Sequence, residues 1–331
     1  MSRCAVIGAG AWGTALADLL ARGGHDVQLW AREPDVVESI NTRHVNDRFL
    51  PGAALAPSLR ATDDLHAVVR DAEIVTYVPP SHVLRTLVRA HADGLPADAT
   101  LVVASKGIEA GSLAIMTDVI ESELPGRHVV ALSGPSFAAE VAARQPTAVV
   151  AAARDIAIAR RVQHAFSHEH FRVYAHDDVV GVELGGALKN VMAVATGIAE
   201  GAGLGFNSRA ALITRGLAEM TRLGVALGAQ PATFAGLAGM GDLVLTCTGS
   251  LSRNRSLGME VGQGRPLADI LASRETVAEG VTTARSARAV AEREGIEMPI
   301  VFAACRVLFE GQSPRRAIEE LMRRELRAEQ D

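Results

Sequence analysis

The sequence predicts an α/β protein in which a mostly parallel sheet, covered by helices on both faces, is followed by an all-helical C-terminal part. Short apolar runs alternate with amphipathic stretches up to about residue 175, and this alternation is typical of strands joined by crossover helices. A glycine-rich segment joins the first apolar run to the first amphipathic stretch. Beyond Asp177 the alternation of period two stops, and only helical spacing continues.

Seven apolar runs are the predicted strands, and the stretches between them, such as Trp12–Arg22 and Ser81–His91, have the spacing of helices. Strand alternating with helix in this way implies a sheet that is buried on both faces. The predicted strands are Cys4–Ile7, Asp26–Trp30, Ile74–Val78, Leu101–Ala104, Val129–Leu132, Ala148–Ala152 and Phe171–Tyr174.

The second half of the chain predicts helices with little strand pattern between them. The strongest helical patterns cover Val179–Glu200, Ser208–Leu227, Thr283–Glu294 and Ser313–Arg327. A length of 331 residues agrees with two domains. We therefore expect a sheet domain over residues 1–177 and a helical domain over residues 178–331.

The composition argues against several classes of protein. A net charge of −5 and a pI near 6.1 leave no basic surface for binding nucleic acid. The cysteines Cys4, Cys247 and Cys305 are odd in number and widely spaced, which indicates a reducing compartment, so we expect a cytoplasmic protein. No segment reaches the ~18 uninterrupted apolar residues that a membrane span requires.

The first segment with chemical content is Val6–Ala15, where Gly8, Gly10 and Gly13 stand between a predicted strand and a predicted helix. In a Rossmann-like domain these three glycines permit the tight turn, the close approach of a pyrophosphate and the close packing of helix on strand, respectively. The phosphates then face the N-terminus of the helix. The motif and its position predict a dinucleotide site, and a glycine-rich turn without a ligand is the alternative.

The end of the second predicted strand bears on which dinucleotide binds. An acidic residue there accepts a hydrogen bond from a ribose 2′-hydroxyl, whereas a basic residue pairs with a 2′-phosphate. Arg32 favours NADP, and Glu33, one residue later, leaves NAD open. We expect NADP to be the preferred cofactor, with NAD as the alternative.

Three further polar segments follow predicted strands: Val78–Ser81, Ser105–Gly107 and Ser133–Phe137. Open α/β sheets bind their ligands at the carboxyl ends of the strands. Any one of these segments alone would be read as an ordinary turn. Because all three are predicted at the same edge, we expect them to contact a cofactor ring and a small polar substrate.

The chain has only two lysines, Lys106 and Lys189, among its 33 basic residues, and both lie in glycine-flanked segments. Arginine stays protonated in proteins, whereas a lysine can lose its proton when it is desolvated or lies near other cations. We interpret at least one of the two as a proton-transfer group. Two ordinary surface lysines are the alternative.

Lys189 shares a predicted helical face with Gly185, Gly186 and Ala193. Glycine inside a helix lowers helix stability by roughly 1 kcal/mol relative to alanine, so another structural requirement must favour the two glycines. Close approach of a ligand or of another backbone to the Lys189 ammonium is the simplest such requirement. A tight helix crossing, with Lys189 incidental to it, is the structural alternative.

Two polar segments follow in the helical half. Asp242, within Gly239–Leu243, could accept a hydrogen bond from a substrate hydroxyl or keep Lys189 charged and oriented. Ser252–Arg255 brings two guanidinium groups, an amide and a hydroxyl into four residues, which suits a phosphate monoester. Taken alone, such a segment is more often a solvated loop.

In this order, the runs GAGAWGTA, SKG, SGPSF, ELGGALKN, GMGDLVLTC and SRNR resemble NAD(P)-dependent glycerol-3-phosphate dehydrogenase of the bacterial type, over about residues 3–325. The resemblance implies the reversible reduction of dihydroxyacetone phosphate to sn-glycerol 3-phosphate, with reduction toward glycerolipid precursors as the expected direction. It also implies that Lys189 is the catalytic proton donor and acceptor.

The resemblance further implies roles for individual residues. The implied substrate-binding residues are Lys106, Gly134, Ser136, Lys189, Asp242, Ser252, Arg253 and Asn254. The implied cofactor contacts, besides the glycines above, are Ala11, Trp12, Arg32, Lys106, Ala138, Arg253, Val277 and Glu279. The glycine- and alanine-rich helices of the second half make a homodimer our expectation.

Other chemistries are less well supported by the residues. His164 and His168 are spaced as in a zinc helix, but no glutamate follows His164, so we expect no metal. No GxSxG elbow is present, which argues against a hydrolase. A reductase of another small phosphorylated or carboxylated ketone stays open. So does an NAD(P)H sensor, which would need neither Lys189 nor Asn254 and would expose an apolar interaction surface.

Overall fold

The computed structural model describes residues 1–274, 278–326 and 328. Within these residues, eight strands form one sheet in the order β3-β2-β1-β4-β5-β6-β7-β8. Neighbouring strands are parallel except for the antiparallel pair β6 and β7. The strands are β1 Arg3–Ile7, β2 Asp26–Trp30, β3 Arg60–Thr62, β4 Ile74–Tyr77, β5 Thr100–Val103, β6 Val129–Ser133, β7 Thr147–Ala152 and β8 Phe171–His176. The predicted mostly parallel sheet is confirmed.

All seven predicted strands are present, and their ends differ from the predicted ends by two residues or fewer. The strand that the sequence did not reveal is β3, which pairs with β2 at the edge of the sheet. Its three residues, Arg-Ala-Thr, are too few to show the alternation by which a strand is detected.

Helices cover both faces of the sheet, as the alternating pattern predicts. α3 and α7 begin at aspartates, Asp64 and Asp155, whose carboxylates accept hydrogen bonds from free amides of the first helical turn. The helices of this half are α1 Ala11–Arg22, α2 Pro34–Arg43, α3 Leu65–Val69, α4 Leu84–His91, α5 Met116–Glu123, α6 Ala138–Ala142 and α7 Ile156–Phe166.

After β8 the described chain is helical, and a π-helical turn over Leu237–Gly241 leads directly into α11. The helices are α8 Val179–Gly201, α9 Phe206–Ala226, α10 Pro231–Phe234, α11 Asp242–Thr248, α12 Arg253–Gly262, α13 Leu267–Ala272, α14 Glu279–Glu294, α15 Pro299–Phe309 and α16 Pro314–Met322. The sheet ends at His176 and α8 begins at Val179. The domain boundary between residues 177 and 178 stays a prediction.

The four predicted helices of this half are confirmed as elements, with two differences in length. The helix predicted to begin at Thr283 begins at Glu279. The helix predicted over Ser313–Arg327 ends at Met322, and Arg327 lies outside the described residues. The sequence did not predict α10 to α13 or α15. Four of these five helices have ten residues or fewer, which is too short for a clear helical period.

α8 is the central helix of the second half. Its length and apolar character would allow it to cross a membrane, but 89% of its apolar window is buried inside the protein. Its first residues, Val179 and Val182, pack with the sheet, and apolar residues from Leu184 to Ile198 belong to the core of the helical half. α8 therefore contributes to the apolar cores of both halves.

Gly13 and Gly10 form a matched pair for testing the turn after β1. A Cβ at Gly13 would lie 1.8 Å from the carbonyl oxygen of Gly8, whereas a Cβ at Gly10 would meet no atom within 4 Å. We expect Gly13→Ala to lower the free energy of unfolding by about 3 kcal/mol, because overpacking forces the turn apart. Gly10→Ala should change it little. Denaturant unfolding measures both, and equal stability of the two variants would contradict this packing.

Candidate active site

The turn between β1 and α1 leaves an open space in front of a helix N-terminus. Gly8 has a φ of +115°, and a Cβ there would lie 3.0 Å from the carbonyl carbon of Val78, so glycine is required. Gly10 is the N-cap of α1, with open space beside its Cα. The free amides of the first turn of α1 can therefore face a phosphate group.

Ala11 and Trp12, two of the implied cofactor contacts, are the first residues of α1. The indole Nε1 of Trp12 is buried and has no hydrogen-bond partner among the described residues. A buried donor without a partner is unusual in a protein. Together with the open space at Gly10, this donor beside the turn fits a site that takes a polar ligand.

The end of β2 carries the residue pair that bears on cofactor choice. Arg32 has a side chain that is 82% exposed, and its guanidinium donates to the Glu33 carboxylate from Nε over 3.1 Å and from a terminal nitrogen over 2.8 Å. Glu33 is the N-cap of α2. The two residues that favour different cofactors are therefore bound to each other.

The carboxyl ends of β5 and β6 bring Lys106 next to the Ser133–Phe137 segment. Gly134 has a φ of +142°, and a Cβ there would lie 2.9 Å from the Cα of Val149 on β7. Its carbonyl oxygen accepts hydrogen bonds from the Lys106 ammonium over 3.1 Å and from the Ser136 hydroxyl over 3.0 Å. Ala138 is the first residue of α6.

One buried carboxylate holds both lysines of the chain. The Lys189 Nζ donates to Asp242 Oδ1 over 2.8 Å, and the Lys106 Nζ donates to Asp242 Oδ2 over 2.6 Å. Lys189 also donates to Thr246 Oγ1 over 2.8 Å. The Asp242 side chain is 1% exposed, Lys189 10% and Lys106 16%. The carboxylate of Asp242 therefore joins Lys106, at the sheet edge, to Lys189 in the helical half.

Burial and charge set the protonation of this cluster. Burial lowers the pKa of Lys189 to about 8; the Lys106 ammonium acts in the same direction, and Asp242 opposes them. For Asp242, burial raises the pKa, but the two ammonium groups outweigh it and hold the pKa below its ordinary value. Asp242 is thus ionised at neutral pH, and Lys189 can both give and take a proton there.

The two glycines that precede Lys189 on α8 are explained by close packing. A Cβ at Gly185 would lie 2.4 Å from the carbonyl oxygen of Ala238, in the π-helical turn before Asp242. A Cβ at Gly186 would lie 2.5 Å from the Ser133 hydroxyl oxygen, with the Lys106 side chain 3.5 Å away. The two glycines therefore allow close approach of protein atoms, including the backbone of Ala238. Lys189 is not incidental to it, because the same approach surrounds Lys189 with its partners.

Ser252–Arg255 is the start of α12, so the solvated-loop alternative is wrong for its buried members. Ser252 is the N-cap, and its hydroxyl accepts from the Arg255 amide over 3.2 Å. The Asn254 side chain accepts from the Gly280 amide and donates to Asn190 Oδ1, each over 2.9 Å. Asn254 is therefore held on both sides, next to the residue that follows Lys189.

The two arginines of this segment have different partners. The Arg255 guanidinium donates to both carboxylate oxygens of Glu200, over 3.0 and 2.6 Å. Arg253 is exposed, and its guanidinium interacts electrostatically with the carboxylate of Glu279. Arg253 alone of the two is available to an anion.

Glu279, the first residue of α14, reaches across to the α/β half. Its carboxylate accepts from the Ser81 amide over 3.1 Å and from the Ser81 hydroxyl over 2.7 Å. Ser81 follows β4 at the same edge as Lys106. Val277, also an implied cofactor contact, lies outside the described residues.

The implied contacts follow one edge of the sheet. Arg32 follows β2, the glycine turn follows β1, Lys106 follows β5 and Gly134 follows β6. In the sheet order these strands run from β2 through β1, β4 and β5 to β6. A ligand that touches all of them is an extended molecule, as a dinucleotide is, with its far end beside the lysine cluster.

Thr246, Asn190 and Ser81 received no individual role from the sequence, although Ser81 ends the segment Val78–Ser81 that was expected to contact a ligand. Thr246 follows Asp242 by four residues, so helical spacing could have placed it on the face of Asp242. Asn190 is the neighbour of Lys189 in a segment already noted. The bond from Ser81 to Glu279 joins residues 198 positions apart, and no local pattern reveals it.

Comparison with known proteins agrees with this geometry. The profile of the NAD-dependent glycerol-3-phosphate dehydrogenase N-terminus matches residues 3–159, and that of the C-terminus matches residues 178–319. The chain belongs to the NAD-dependent glycerol-3-phosphate dehydrogenase family. The resemblance drawn from its motifs is thereby confirmed.

Individual members of the glycerol-3-phosphate dehydrogenase family match over nearly the full length. A glycerol-3-phosphate dehydrogenase [NAD(P)+] of Citrifermentans bemidjiense is 56% identical over 99% of this chain and 98% of its own. That of Myxococcus xanthus is 50% identical over 99% of this chain and 98% of its own. A crystal structure of glycerol-3-phosphate dehydrogenase from Coxiella burnetii superposes with a TM-score of 0.94, at 40% identity, covering 98% of this chain and 99% of that one.

Removing the shared counter-charge tests the lysine cluster of this dehydrogenase. We expect Asp242→Asn to lower the free energy of unfolding by about 3 kcal/mol, because it leaves two enclosed ammonium groups without a carboxylate. Asp47→Asn is the control. The Asp47 side chain is 56% exposed and its partner Arg43 is 62% exposed, and an exposed ion pair contributes about 1 kcal/mol at most. Chemical denaturation measures both, and a loss for Asp242→Asn no larger than that of the control would contradict the cluster.

Proposed function

We propose that this chain interconverts dihydroxyacetone phosphate and sn-glycerol 3-phosphate with NAD(P), and that Lys189 transfers the proton. Relatives that share more than half of its residues over the full length carry the name glycerol-3-phosphate dehydrogenase [NAD(P)+]. The observation that carries the catalytic part of the proposal is the contact of Lys189 with Asp242, which is shared with Lys106.

The cofactor residues are proposed from the edge of the sheet. The pyrophosphate would face the open N-terminus of α1 at Gly10, Ala11 and Trp12, where Gly8 and Gly13 shape the turn. When bound, the reduced nicotinamide supplies the hydride that adds to the middle carbon of the substrate. Further cofactor contacts are proposed at Arg32, Lys106, Ala138, Arg253, Val277 and Glu279.

Lys189 is suited to supply the proton that the reduction needs. As hydride arrives at the carbonyl carbon, negative charge develops on the oxygen, and a positioned acid must protonate it. Asp242 and Thr246 accept two of the three ammonium hydrogens of Lys189 among the described residues, which leaves one for the substrate oxygen. In the reverse direction the neutral amine takes the hydroxyl proton.

The substrate phosphate is proposed to bind between Lys106, Arg253 and Asn254. The lysine cluster has two ammonium groups for one carboxylate, so it attracts an anion. Arg253 adds an exposed guanidinium from α12, and the amides that follow the Ser252 N-cap add helix-terminal donors. Gly134, Ser136 and Asp242 complete the proposed substrate contacts.

NADP is the proposed preferred cofactor, because Arg32 is exposed at the end of β2. Glu33 holds the Arg32 guanidinium with two hydrogen bonds and so competes with a 2′-phosphate. This competition supports a modest preference, with NAD still accepted. The names of the relatives, which give NAD(P)+, agree with use of either cofactor.

A homodimer in the cytoplasm is the proposed form. Exposed apolar side chains on the helical half, Phe206, Val225 and Leu251, support a subunit contact. The three cysteines are free and buried, which supports a reducing compartment. The sensor alternative would also predict exposed apolar residues, but it gives no reason for the lysine cluster.

Oxidation of NADPH or NADH on addition of dihydroxyacetone phosphate tests the proposed reaction, and Lys189→Arg tests the proton transfer. We expect this variant to keep the positive charge but to lose turnover by about 100-fold or more, the usual contribution of a general acid. For the wild type, kcat/KM of reduction should fall as pH rises through about 8, where Lys189 loses its proton, and oxidation should rise. Near-normal turnover of Lys189→Arg would exclude Lys189 as the donor.

Two neighbouring variants test the cofactor assignment. We expect Arg32→Ala to raise the KM for NADPH by about 10-fold, the contribution of a charge-assisted hydrogen bond, and to leave the KM for NADH nearly unchanged. Glu33→Gln should lower the KM for NADPH by about threefold, because the ion pair with Glu33 no longer competes for Arg32. Steady-state kinetics with both cofactors measure these values. A wild-type enzyme that clearly prefers NADH would contradict the role of Arg32.

A further inference from the structure

Ser81 lies at the start of a hydrogen-bonded path that crosses from the sheet edge to the helix of Lys189. Its amide and hydroxyl both donate to the Glu279 carboxylate, over 3.1 and 2.7 Å. Ser81 itself is buried, at 5% exposure. A serine that uses both donors on one carboxylate fixes the position and the orientation of that carboxylate.

The next step of the path runs through the backbone of α14. Gly280 follows Glu279, and its amide donates to Asn254 Oδ1 over 2.9 Å. Asn254 in turn donates to Asn190 Oδ1 over 2.9 Å. A Cβ at Gly280 would lie 2.5 Å from the carbonyl oxygen of Asn190, so the start of α14 lies directly against α8. The hydrogen bonds from Ser81 to Glu279 therefore influence the position of Asn254 through Gly280.

Glu279 also affects the second residue proposed to bind phosphate. Its carboxylate interacts electrostatically with the exposed guanidinium of Arg253. A Cβ at Gly107 would lie 2.8 Å from the Ser81 hydroxyl and 3.6 Å from a Glu279 carboxylate oxygen. The neighbour of Lys106 therefore packs closely against this anchor. Ser81 and Glu279 thus lie beside the segment of Lys106 and next to the residue that binds Asn254.

We propose that Ser81 is a positioning residue, which holds Asn254 in place for the substrate phosphate by anchoring Glu279 at the start of α14. The proposal rests on the proposed function in one respect, the assignment of Asn254 to that phosphate. Among the described residues, Ser81 has no hydrogen bond to Asn254, and it acts on Asn254 through Glu279 and Gly280. Its loss should weaken phosphate binding and leave proton transfer at Lys189 intact.

The bond between Glu183 and Thr117 offers a matched control. Glu183 on α8 accepts from the Thr117 amide over 3.0 Å and from the Thr117 hydroxyl over 2.5 Å. This contact also joins the α/β half to the helical half through one carboxylate, one amide and one hydroxyl. It lies at the start of α5, and among the described residues neither Thr117 nor Glu183 is hydrogen-bonded to Lys106, Arg253 or Asn254. Thr117→Val therefore measures the general effect of weakening a contact between the two halves.

The test compares Ser81→Ala, Glu279→Gln, the double variant and Thr117→Val. We expect Ser81→Ala to raise the KM for dihydroxyacetone phosphate about 5-fold at saturating NADPH, as befits a hydrogen bond to a charged group, with kcat changed by less than about twofold. The double variant should have the KM of Glu279→Gln alone, because Ser81 acts only through that carboxylate. Thr117→Val should lower the Tm and leave the KM unchanged.

Binding of inorganic phosphate, measured by titration calorimetry, gives a readout that does not depend on turnover. Ser81→Ala should weaken it by the same factor as it raises the KM. If the wild type bound phosphate but did not reduce dihydroxyacetone phosphate, the proposed function would fail and the positioning role would still be read from the calorimetry. The positioning role is overturned by an unchanged phosphate affinity in Ser81→Ala, by additive effects in the double variant, or by an equal rise in KM for Thr117→Val.

Discussion

The structure of the site depends on one buried carboxylate that serves two ammonium groups. Asp242 is the shared partner of Lys106, from the edge of the sheet, and Lys189, from the central helix of the second half. Enclosed charges are stable only when they are paired and hydrogen-bonded. Because the cluster holds two positive charges and one negative charge, one positive charge remains for a ligand. The cluster thus joins the two halves and prepares the site for an anion at the same time.

The local backbone is arranged to make this contact. The π-helical turn places Asp242 at the start of α11, and Gly185 lets the backbone of that turn approach α8 within contact distance. Gly186 leaves space for the Ser133 hydroxyl and the Lys106 side chain. Each glycine costs about 1 kcal/mol of helix stability, and the close approach around Lys189 accounts for that cost. A chain with a net charge of −5 thereby keeps a positive site where the sheet edge meets α8.

Much of this could be predicted from the sequence, and the limits have physical causes. The glycine turn and the long helix α8 have strong local patterns, and the roles of the lysines were inferred from what arginine cannot do. The three-residue strand β3 and the short helices α10 to α13 were missed because a brief element shows no full period. Ser252–Arg255 resembles a polar loop in the sequence, because the residues of a helix N-terminus are of the same polar types as those of loops. The Ser81 bond to Glu279 depends on the tertiary fold, and no spacing along the chain reports it.

The most direct measurement of the central claim is the pKa of Lys189 in solution. Because the chain has only two lysines, labelling with [13C]lysine gives two side-chain signals by NMR, and the signal that Lys189→Arg removes belongs to Lys189. The account predicts that this signal titrates near a pKa of about 8. A titration at the ordinary lysine value of about 10.4 would show that burial and the Lys106 ammonium do not outweigh Asp242, and would contradict the account.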